Sequence, residues 1–482
     1  FFCTLFIFQL KISDERLLII LVAYGRLNAQ VTAGQLNSAA TFGHNFMTLF
    51  PSNNQFDDEN PDISLTLINS NLRRAYVQIK YSEDAENAPE ELTEFTVIVA
   101  PMSYKTVHFN ESSINVCDDA FSGKYMVACS DSRIYISSER QPIGVFSHWF
   151  LPHAGDSFLV LPSSMATNRY AFSAPAPAED GLTRVYFLPL EDSTLIKIAG
   201  EIDDHPFKKS FSPKMANGNL MTIQTTGNLA LIASANVSFA VIVAVEKLRV
   251  SLHDNRTDFG AYMPVPLLDF DYHVSMMLDA QKFLVTQGDL FCNAEFTVFN
   301  DMENQILFPL KEVYNEVEFA DYSQYAGIDS SSVMLQVLRY GGWENEFING
   351  SYLDLDISWS QFVTGLTTFF VPSDENIITI IGDTEATTTT TAGNRAPIEF
   401  VWNWTPISLY HKTFYYCTIS LPKGFYIIVS SGSYVVFVAG QIQNAAYGFV
   451  TAYNKQISKD LPEIKTTTTE PRMTTTTPSK DV

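Results

Sequence analysis

The stretch Ala75–Tyr81 reads AYVQIKY, and its apolar residues recur at every second position, as do those of ISLTL at Ile63–Leu67. A period of two is typical of a β-strand with one buried face, whereas an amphipathic helix repeats every ~3.6 residues. Similar short runs recur along the chain with Gly, Pro, Asn and Asp between them, and no long amphipathic helix with convincing caps is found. The sequence therefore predicts an all-β protein of antiparallel strands.

The strand pattern repeats along the chain. Three segments share the order strand, small polar turn, strand, namely Ile134–Phe146, Ala230–Ile242 and Phe425–Phe437. An apolar residue and a proline follow the first two segments, at Pro162 and Pro264. This self-similarity predicts antiparallel units of roughly 100 residues and four or more strands, the third enlarged by insertions. Such units suit a β-propeller or tandem β-sandwiches, and the sequence does not choose between them.

The repeat predicts matching positions in successive units. If the first two segments are equivalent hairpins, their turns lie at Ser137–Ser138 and Ala233–Ser234. Val145 and Val241 then face corresponding cores, because side chains on a strand alternate between its two faces. The stretch 305–394 is expected to hold insertions and much of the variable surface.

Composition divides the chain into four regions. Residues 1–29 contain two short hydrophobic runs and end in small residues, as in an export signal. Residues 456–482 carry Thr tracts with Pro, which cannot build a core and are typical of mucin-like stalks. Between them we expect a first β-rich region at 41–255 and a second, enlarged by insertions, at 256–455. A shorter tract, Thr387–Thr391, is expected to be an extended surface loop.

The charge balance is strongly acidic. The 482-residue chain has 53 Asp and Glu against 30 Lys and Arg, a formal net charge of −23. Such a surface repels polyanions, so nucleic acid and anionic lipid are unsuited as partners. The apolar runs near the N-terminus are too short to span a bilayer, and we expect no stable membrane span. With 46% hydrophobic residues, the chain can bury more than one core.

Cysteine usage agrees with export. Cys3 lies in the leader, and the four other cysteines are Cys117, Cys129, Cys292 and Cys417. An even number suggests two disulfides, with three possible connectivities. The close spacing of Cys117 and Cys129 favours a clip within one loop or hairpin, which leaves Cys292 with Cys417. We therefore expect no free thiol in the exported protein, and the absence of a CxxC motif argues against a zinc knuckle.

Five N-glycosylation sequons are present, which is compatible with export. Their acceptor residues are Asn110, Asn236, Asn255, Asn349 and Asn403. A chain rich in Asn, Ser and Thr produces nearly that many by chance, so the sequons permit secretion and do not establish it.

Four motifs in the first β-rich region are shared with a known family, namely GHNFMTLFP at Gly43–Pro51, ISLTLINS at Ile63–Ser70, QPIGVF at Gln141–Phe146 and DSFLVLP at Asp156–Pro162. In order and spacing they resemble the N-terminal domain of the IgG Fc-binding protein family, over much of 43–250 and more weakly to about residue 455. The resemblance implies a secreted binding module associated with mucus or matrix. The von Willebrand type D and Cys-rich repeats that often accompany the domain are missing, which argues against mucin-like covalent polymerisation. Nothing in the sequence points to Fc recognition.

Local signatures of the common enzymes are missing. The sequence contains no GxSxG, HExxH or Walker motif, and no GxGxxG at a strand-to-helix turn. We therefore expect no enzyme activity and no cofactor, and we assign no catalytic, cofactor-binding or metal-binding residues. A dispersed carboxylate pair, as in a glycosidase, would leave no such signature.

Two polar clusters offer metal ligands, and we expect neither to bind a metal. His148, His153 and Asp156 supply two imidazoles and a carboxylate, but strand alternation places the two His on opposite faces unless the intervening Pro turn bends them together. The acidic run Asp57–Asp62 lacks the Gly and terminal Glu of an EF-hand calcium loop. A structural turn and a solvated acidic loop are the simpler interpretations.

These observations together predict a secreted, extracellular binding or structural module. It would recognise a protein or glycan through loops on a rigid sheet scaffold, in mucus, cuticle or matrix. The alternative is a secreted carbohydrate-active hydrolase on a β-propeller with a dispersed carboxylate pair. A deep pocket with two carboxylates about 5–10 Å apart beside exposed aromatics would favour the hydrolase, and a shallow surface rimmed by loops would favour binding.

Overall fold

The chain is nearly all β, which confirms the predicted fold class. A computed structural model describes residues 39–455 except 54–60, 84–91, 111–113, 118–122, 124, 192–193, 214–219, 251–255, 268–272, 279, 289–293, 301–304, 311–313, 319–324, 331–332, 343–347, 395, 399–401 and 410–411. The predicted leader at 1–29 and the predicted tail at 456–482 lie outside these described residues. Within the described part of the chain, no helix is long and apolar enough to cross a membrane.

The strands fall into four consecutive units, numbered in chain order. Unit 1 contains β1 (Asn45–Thr48), β2 (Asp62–Asn69), β3 (Ala75–Tyr81), β4 (Thr93–Val99), β5 (Ser103–Phe109), β6 (Met126–Cys129), β7 (Ile134–Ser138), β8 (Gly144–Leu151) and β9 (Ala154–Val160). Unit 2 contains β10 (Thr167–Ala174), β11 (Thr183–Pro189), β12 (Ile196–Ile202), β13 (His205–Phe211), β14 (Leu220–Thr225), β15 (Leu229–Arg249) and β16 (Thr257–Tyr262).

Units 3 and 4 continue the series. Unit 3 contains β17 (His273–Leu278), β18 (Ala280–Gln287), β19 (Ala294–Asn300), β20 (Gln305–Leu310), β21 (Tyr314–Glu318), β22 (Tyr325–Asp329), β23 (Leu335–Gly342) and β24 (Ser351–Asp356). Unit 4 contains β25 (Val363–Val371), β26 (Asn376–Gly382), β27 (Thr391–Asn394), β28 (Ala396–Ile398), β29 (Thr405–Leu409), β30 (Lys412–Ile419), β31 (Gly424–Ile442) and β32 (Ala445–Val450).

Every unit repeats one strand order in two antiparallel sheets. In unit 1 the first sheet has the order β1-β7-β3-β4 and the second has β5-β2-β8-β9. Unit 3 repeats this with β17-β22-β19-β20 and β21-β18-β23-β24. In units 2 and 4 a single long strand, β15 or β31, takes the places of both β7 and β8 and so belongs to both sheets. The predicted repeat of antiparallel multi-stranded units is therefore confirmed.

The number of units differs from the expectation. The stretch 256–455 does not hold one unit enlarged by insertions, because it contains the last strand of unit 2 and all of units 3 and 4. Two strands fall outside the common order. Strand β6 of unit 1 pairs with β14 and extends the second sheet of unit 2, and β29 extends unit 4 beside β30.

The three repeated sequence segments occupy equivalent places, but none is a hairpin. Ile134–Phe146 spans β7 and the start of β8, which lie in different sheets of unit 1. Ala230–Ile242 lies within the continuous strand β15, and Phe425–Phe437 lies within β31. The predicted turns are therefore wrong, since Ser137–Ser138 lies inside β7 and Ala233–Ser234 pairs with β10 and β12 on its two sides.

The small polar residues that suggested turns lie where the chain passes from one sheet to the other. In β15 this crossing is continuous, with the exposed Asn236 near its middle, so extended backbone serves both sheets without a turn. The prediction about matching core positions is confirmed. Val145 on β8 and Val241 on β15 are both buried, and each pairs with the second strand of its unit, β2 or β11.

The expectation of an extended surface loop at Thr387–Thr391 is wrong. Ala386–Thr389 forms a short helical turn, and the buried Thr390 donates its hydroxyl to the Ala386 carbonyl at 2.6 Å. Thr391 then begins β27, which lies between β28 and β31. Threonine suits both settings, because its hydroxyl bonds nearby carbonyls and its β-branch favours strands.

Aromatic contacts across the two sheets show that the units are β-sandwiches. In unit 1, Tyr81 and Phe95 of the first sheet contact Phe109 of the second, with ring centroids 5.4 and 6.3 Å apart. In unit 2, Phe187 of the second sheet contacts Phe211 of the first at 5.4 Å. Side chains from two facing sheets thus form each core. The units of the predicted repeat are therefore sandwiches.

The four units meet through the last strand of each. Strand β9 contacts β16, β16 contacts β24, β24 contacts β32, and β32 contacts β9, so the four strands close a ring around a line that we call the axis. Each is an edge strand that pairs with one neighbour in its own sheet. Their outer N–H groups therefore face the interior of the molecule and need acceptors other than a neighbouring strand.

Candidate functional site

Two buried carboxylates supply these acceptors at the axis. Asp156 on β9 accepts the N–H of its neighbour Ser157 at 2.7 Å. It also accepts one N–H from each of the other units, from Ala261 at 3.0 Å, Leu353 at 3.4 Å and Gly448 at 3.3 Å. One side chain of unit 1 therefore bonds to the backbone of all four units.

Asp258 on β16 repeats the arrangement from unit 2. It accepts the N–H groups of Phe259 and Gly155, each at 2.8 Å. Its other oxygen accepts those of Ser351 at 3.0 Å and Ala446 at 2.8 Å. The two carboxylates thus satisfy eight backbone donors in a region that water does not reach, and they connect the units where no strand pairing does.

The axial pair does not have the properties of a hydrolytic carboxylate pair. Asp156 is 1% exposed and Asp258 is 0% exposed, so no sugar can reach either group. Burial raises the pKa of Asp258 to about 8 against the opposing effect of its N–H bonds. Burial also raises the pKa of Asp156 well above its usual range, and the neighbouring Asp258 charge adds to the rise. The arrangement is an interior link between units.

The raised pKa of Asp258 predicts a pH-dependent stability. Between about pH 4 and 8 the folded state keeps a proton that the unfolded state has lost, so the contribution is complete below about pH 4 and is lost as pH rises through about 8. We expect the free energy of unfolding to fall by about 1 kcal/mol per pH unit in the upper part of this window. Urea titrations of wild type and Asp258→Asn between pH 5 and 9 measure it. Equal slopes in both proteins would contradict the assignment.

An open groove lies between the second sheet of unit 1 and unit 4. Its volume is about 490 Å³, within the range of about 300–1,000 Å³ that small-molecule sites occupy. Strands β2, β5 and β8 form the floor and one side, and the end of β25, the residues before β31 and the end of β31 form the other. The groove brings together residues more than 300 positions apart in the chain, such as Thr106 and Lys423.

A polar chain runs through the groove floor. His148 Nδ1 lies 2.7 Å from Ser157 Oγ, and its Nε2 lies 2.9 Å from Thr66 Oγ1. Thr66 Oγ1 lies 3.0 Å from the hydroxyl of Thr106, which lines the groove. Burial lowers the pKa of His148 to about 3, so the imidazole is neutral at physiological pH. Ser157 is 0% exposed, so its hydroxyl cannot act as a nucleophile on a ligand in the groove. The contact between Ser157 and His148 instead holds the His148 ring in place.

Charged and aromatic groups form the walls and rim of the groove. Asp62 pairs with His108 at 2.8 Å, and their side chains are 65% and 63% exposed. The ring of Tyr104 lies 4.5 Å from that of Phe370, which closes one wall between units 1 and 4. The exposed Lys423 lies at the opposite rim. The groove thus combines hydroxyls, an aromatic wall, an acid–imidazole pair and the ammonium groups of Lys105 and Lys423.

The structure separates the three residues of the first predicted polar cluster. His148 lies in the groove floor, His153 is exposed in the turn between β8 and β9, and Asp156 lies at the axis. Within the described residues, no group of three or more potential metal ligands is found. Of the acidic run Asp57–Asp62, residues 57–60 lie outside the described residues, and Asp62 pairs with His108.

A second depression of about 440 Å³ lies on unit 4. Its lining includes Trp359, Phe414 and the carboxylates of Asp383 and Glu385. Both oxygens of Asp383 are engaged, since one accepts the Ala386 N–H and the other the Ser433 N–H, each at 2.9 Å. This depression therefore does not offer two uncommitted carboxylates for acid–base chemistry.

One of the two expected disulfides is present. Cys117 and Cys129 are bonded, with their Cα atoms 5.7 Å apart, and Cys129 ends β6, which pairs with β14 of unit 2. The predicted bond between Cys292 and Cys417 is contradicted, because Cys417 is a free, buried thiol on β30. Cys292 itself lies outside the described residues. Spacing alone could not show that Cys417 is free, and burial raises the pKa of its thiol.

The free thiol gives a direct prediction. Alkylation of the denatured, unreduced protein should label Cys417 and leave Cys117 and Cys129 unlabelled until a reductant is added. The native protein should label slowly at Cys417, because the side chain is buried. Peptide mass spectrometry before and after reduction measures both, with Cys417→Ala as the control. Failure of the denatured protein to label at Cys417 would contradict the structure.

The described sequon residues lie on the surface. Asn110, Asn236, Asn349 and Asn403 are exposed, and Asn255 lies outside the described residues. Two of these side chains also make contacts, since Asn236 Oδ1 accepts the Leu195 N–H at 2.6 Å and Asn349 Oδ1 accepts from Arg256. Attachment of a glycan is sterically possible at the four described sites.

The comparisons with known proteins add no family. The chain matches no protein-family model and no curated protein. The likeness to the IgG Fc-binding protein family rests on the four motifs quoted above. In the structure these motifs contribute β1, β2, the start of β8 and most of β9, so they mark strands of unit 1 and the axial Asp156.

Proposed function

We propose that this chain is a secreted, extracellular binding module that recognises a protein or glycan partner through the groove between units 1 and 4. The observation that carries the proposal is the groove itself. It is open to solvent, it has the volume of a ligand site, and it places hydroxyls, aromatic rings and charges from two units side by side. The sandwiches hold these groups on strands, which makes the site rigid.

Several features support the extracellular part of the proposal. The Cys117–Cys129 disulfide suits an oxidising compartment, and four sequon residues are exposed. The leader-like and mucin-like compositions of 1–29 and 456–482 agree with export. The motif likeness to the N-terminal domain of the IgG Fc-binding protein family supports a role in mucus or matrix, and we extend it to this chain as part of the proposal.

A binding role is favoured over hydrolysis by the state of the carboxylates. The axial pair is inaccessible, Asp383 in the second depression is held by two backbone N–H groups, and Asp62 in the groove is paired with His108. A glycosidase needs two carboxyl groups that flank the bond to be cut. None of these three places presents such a pair.

Filling the groove tests the proposal. Thr106→Trp places an indole in the groove from the edge strand β5, and Thr96→Trp places the same ring on the exposed face of β4 in the same unit. The full-length secreted proteins are immobilised and exposed to extracellular matrix extract and to a glycan array. We expect Thr96→Trp to retain the wild-type partners and Thr106→Trp to lose them. Equal capture by all three proteins would overturn the proposal.

A further inference from the structure

We infer that the ligand of the groove is an acidic saccharide, with its carboxylate or sulfate on Lys423 and a sugar ring against the wall formed by Tyr104 and Phe370. This inference rests on the proposed function, since it names the ligand class of the same groove. Three properties of the groove support the inference: its charge, the hydroxyl groups along its lining and its size.

The charge around the groove differs from that of the whole chain. The chain carries a formal net charge of −23, whereas the groove lining holds one carboxylate, that of Asp62, and two ammonium groups, those of Lys105 and Lys423. Lys423 is exposed and makes no ion pair with the described residues. This local excess of ammonium groups over carboxylates in an acidic protein attracts an anionic group to the groove and leaves the rest of the surface repulsive.

The polar lining suits a polyhydroxylated ligand. The Tyr104 hydroxyl forms no hydrogen bond within the described part of the chain, and the Thr106 hydroxyl lies at the open end of the floor network. Hydroxyl groups both donate and accept, which matches the ring hydroxyls of a sugar. Phe370 is buried behind Tyr104, so the half-buried ring of Tyr104 provides the apolar contact for the C–H face of a pyranose.

The size and form of the groove favour a saccharide over a folded protein. The groove volume of about 490 Å³ is that of a small-molecule site, whereas a stable protein partner needs a contact surface of about 800 Å² on each side. An acidic peptide could supply the charge, but it lacks the rigid ring that the Tyr104–Phe370 wall would contact. We therefore assign the saccharide as the ligand and use an acidic peptide as the comparison.

Matched oligosaccharides test the ligand class. Glucose and glucuronic acid oligomers of the same length and linkage differ by one carboxylate per ring, and a poly-glutamate peptide supplies charge without sugar. Binding to the full-length protein is measured by interferometry. We expect the uronic acid oligomer to bind at least about tenfold more tightly than either of the others, as for a charge-assisted hydrogen bond. Equal binding of the glucose oligomer or the peptide, or no binding of the uronic acid oligomer, overturns the inference.

Two variants connect the preference to the groove. Lys423→Glu should remove the tenfold preference, whereas Lys208→Glu, the same charge change on exposed β13, should keep it. Tyr104→Phe removes one hydroxyl and keeps the aromatic wall, and it should weaken uronic acid binding severalfold. If the preference survives Lys423→Glu, the inference fails. If partner capture depends on Thr106 but shows no preference for acid, the inference fails and the proposed function stands.

Discussion

Asp156→Ala should lower the free energy of unfolding by about 4 kcal/mol or more, and Asp258→Ala should have a similar effect. Each substitution leaves four buried backbone N–H groups without their acceptor, and an unsatisfied buried donor costs about 1–3 kcal/mol. Because the lost bonds reach all four units, the whole chain should lose stability together. Urea unfolding followed by tryptophan fluorescence measures the change.

The control is a carboxylate that makes no contact with the axis. Glu179 is exposed in unit 2, and Glu179→Ala should change stability by about 0.5 kcal/mol or less. If Asp156→Ala were as stable as Glu179→Ala, the carboxylate would not connect the units, and the ring of edge strands would have to be held by side-chain packing alone.

Val241→Asp and Val145→Asp should each destabilise the protein by about 4 kcal/mol or more. Val241 is 1% exposed and Val145 is 0% exposed, so either change buries a carboxylate without a partner. The two valines lie on matching strands of units 1 and 2, and the repeat therefore predicts effects of similar size. Thr96→Asp, on an exposed strand face, is the control and should cost little.

Thermal unfolding of the purified variants, together with their yields, measures this comparison. A large effect at one valine and a small effect at the other would show that the two sites are not equivalent. Units 1 and 2 would then share their strand order but would differ in how their cores are packed.

The strand content of this protein could be predicted because it depends on local pattern. The alternation in Ala75–Tyr81 became β3, with its alternate residues buried, and ISLTL became part of β2. The equivalence of Ile134–Phe146 and Ala230–Ile242 was also visible, because the same strand positions need similar apolar runs. These features are set by residues that are neighbours in sequence.

The turn prediction failed for a physical reason. A small polar stretch reads as a turn when it is taken alone, but in β15 it marks the corner where one strand leaves the first sheet and enters the second. Asn236 is exposed there while its neighbours remain extended. Whether such residues turn or continue depends on the strands beside them, β10, β11 and β12, which local pattern does not supply.

The candidate site was mostly invisible in the sequence because it joins distant parts of the chain. Asp156 was noticed only as one member of a weak metal cluster, and Asp258 was not singled out. The alignment of Pro162 with Pro264, extended six residues towards the N-terminus, places Asp156 opposite Asp258 and could have found the pair. No comparable signal relates Thr106 to Lys423, whose proximity arises from the packing of units 1 and 4.

Hydrogen–deuterium exchange of the full-length protein, with and without a captured partner, tests the groove assignment most directly. We expect the partner to slow exchange in Ser103–His108 and in the residues around Lys423, and to leave the exposed edge strand His205–Phe211 unchanged. Protection confined to other surfaces, with both groove segments exchanging as in the free protein, would show that the binding site lies elsewhere.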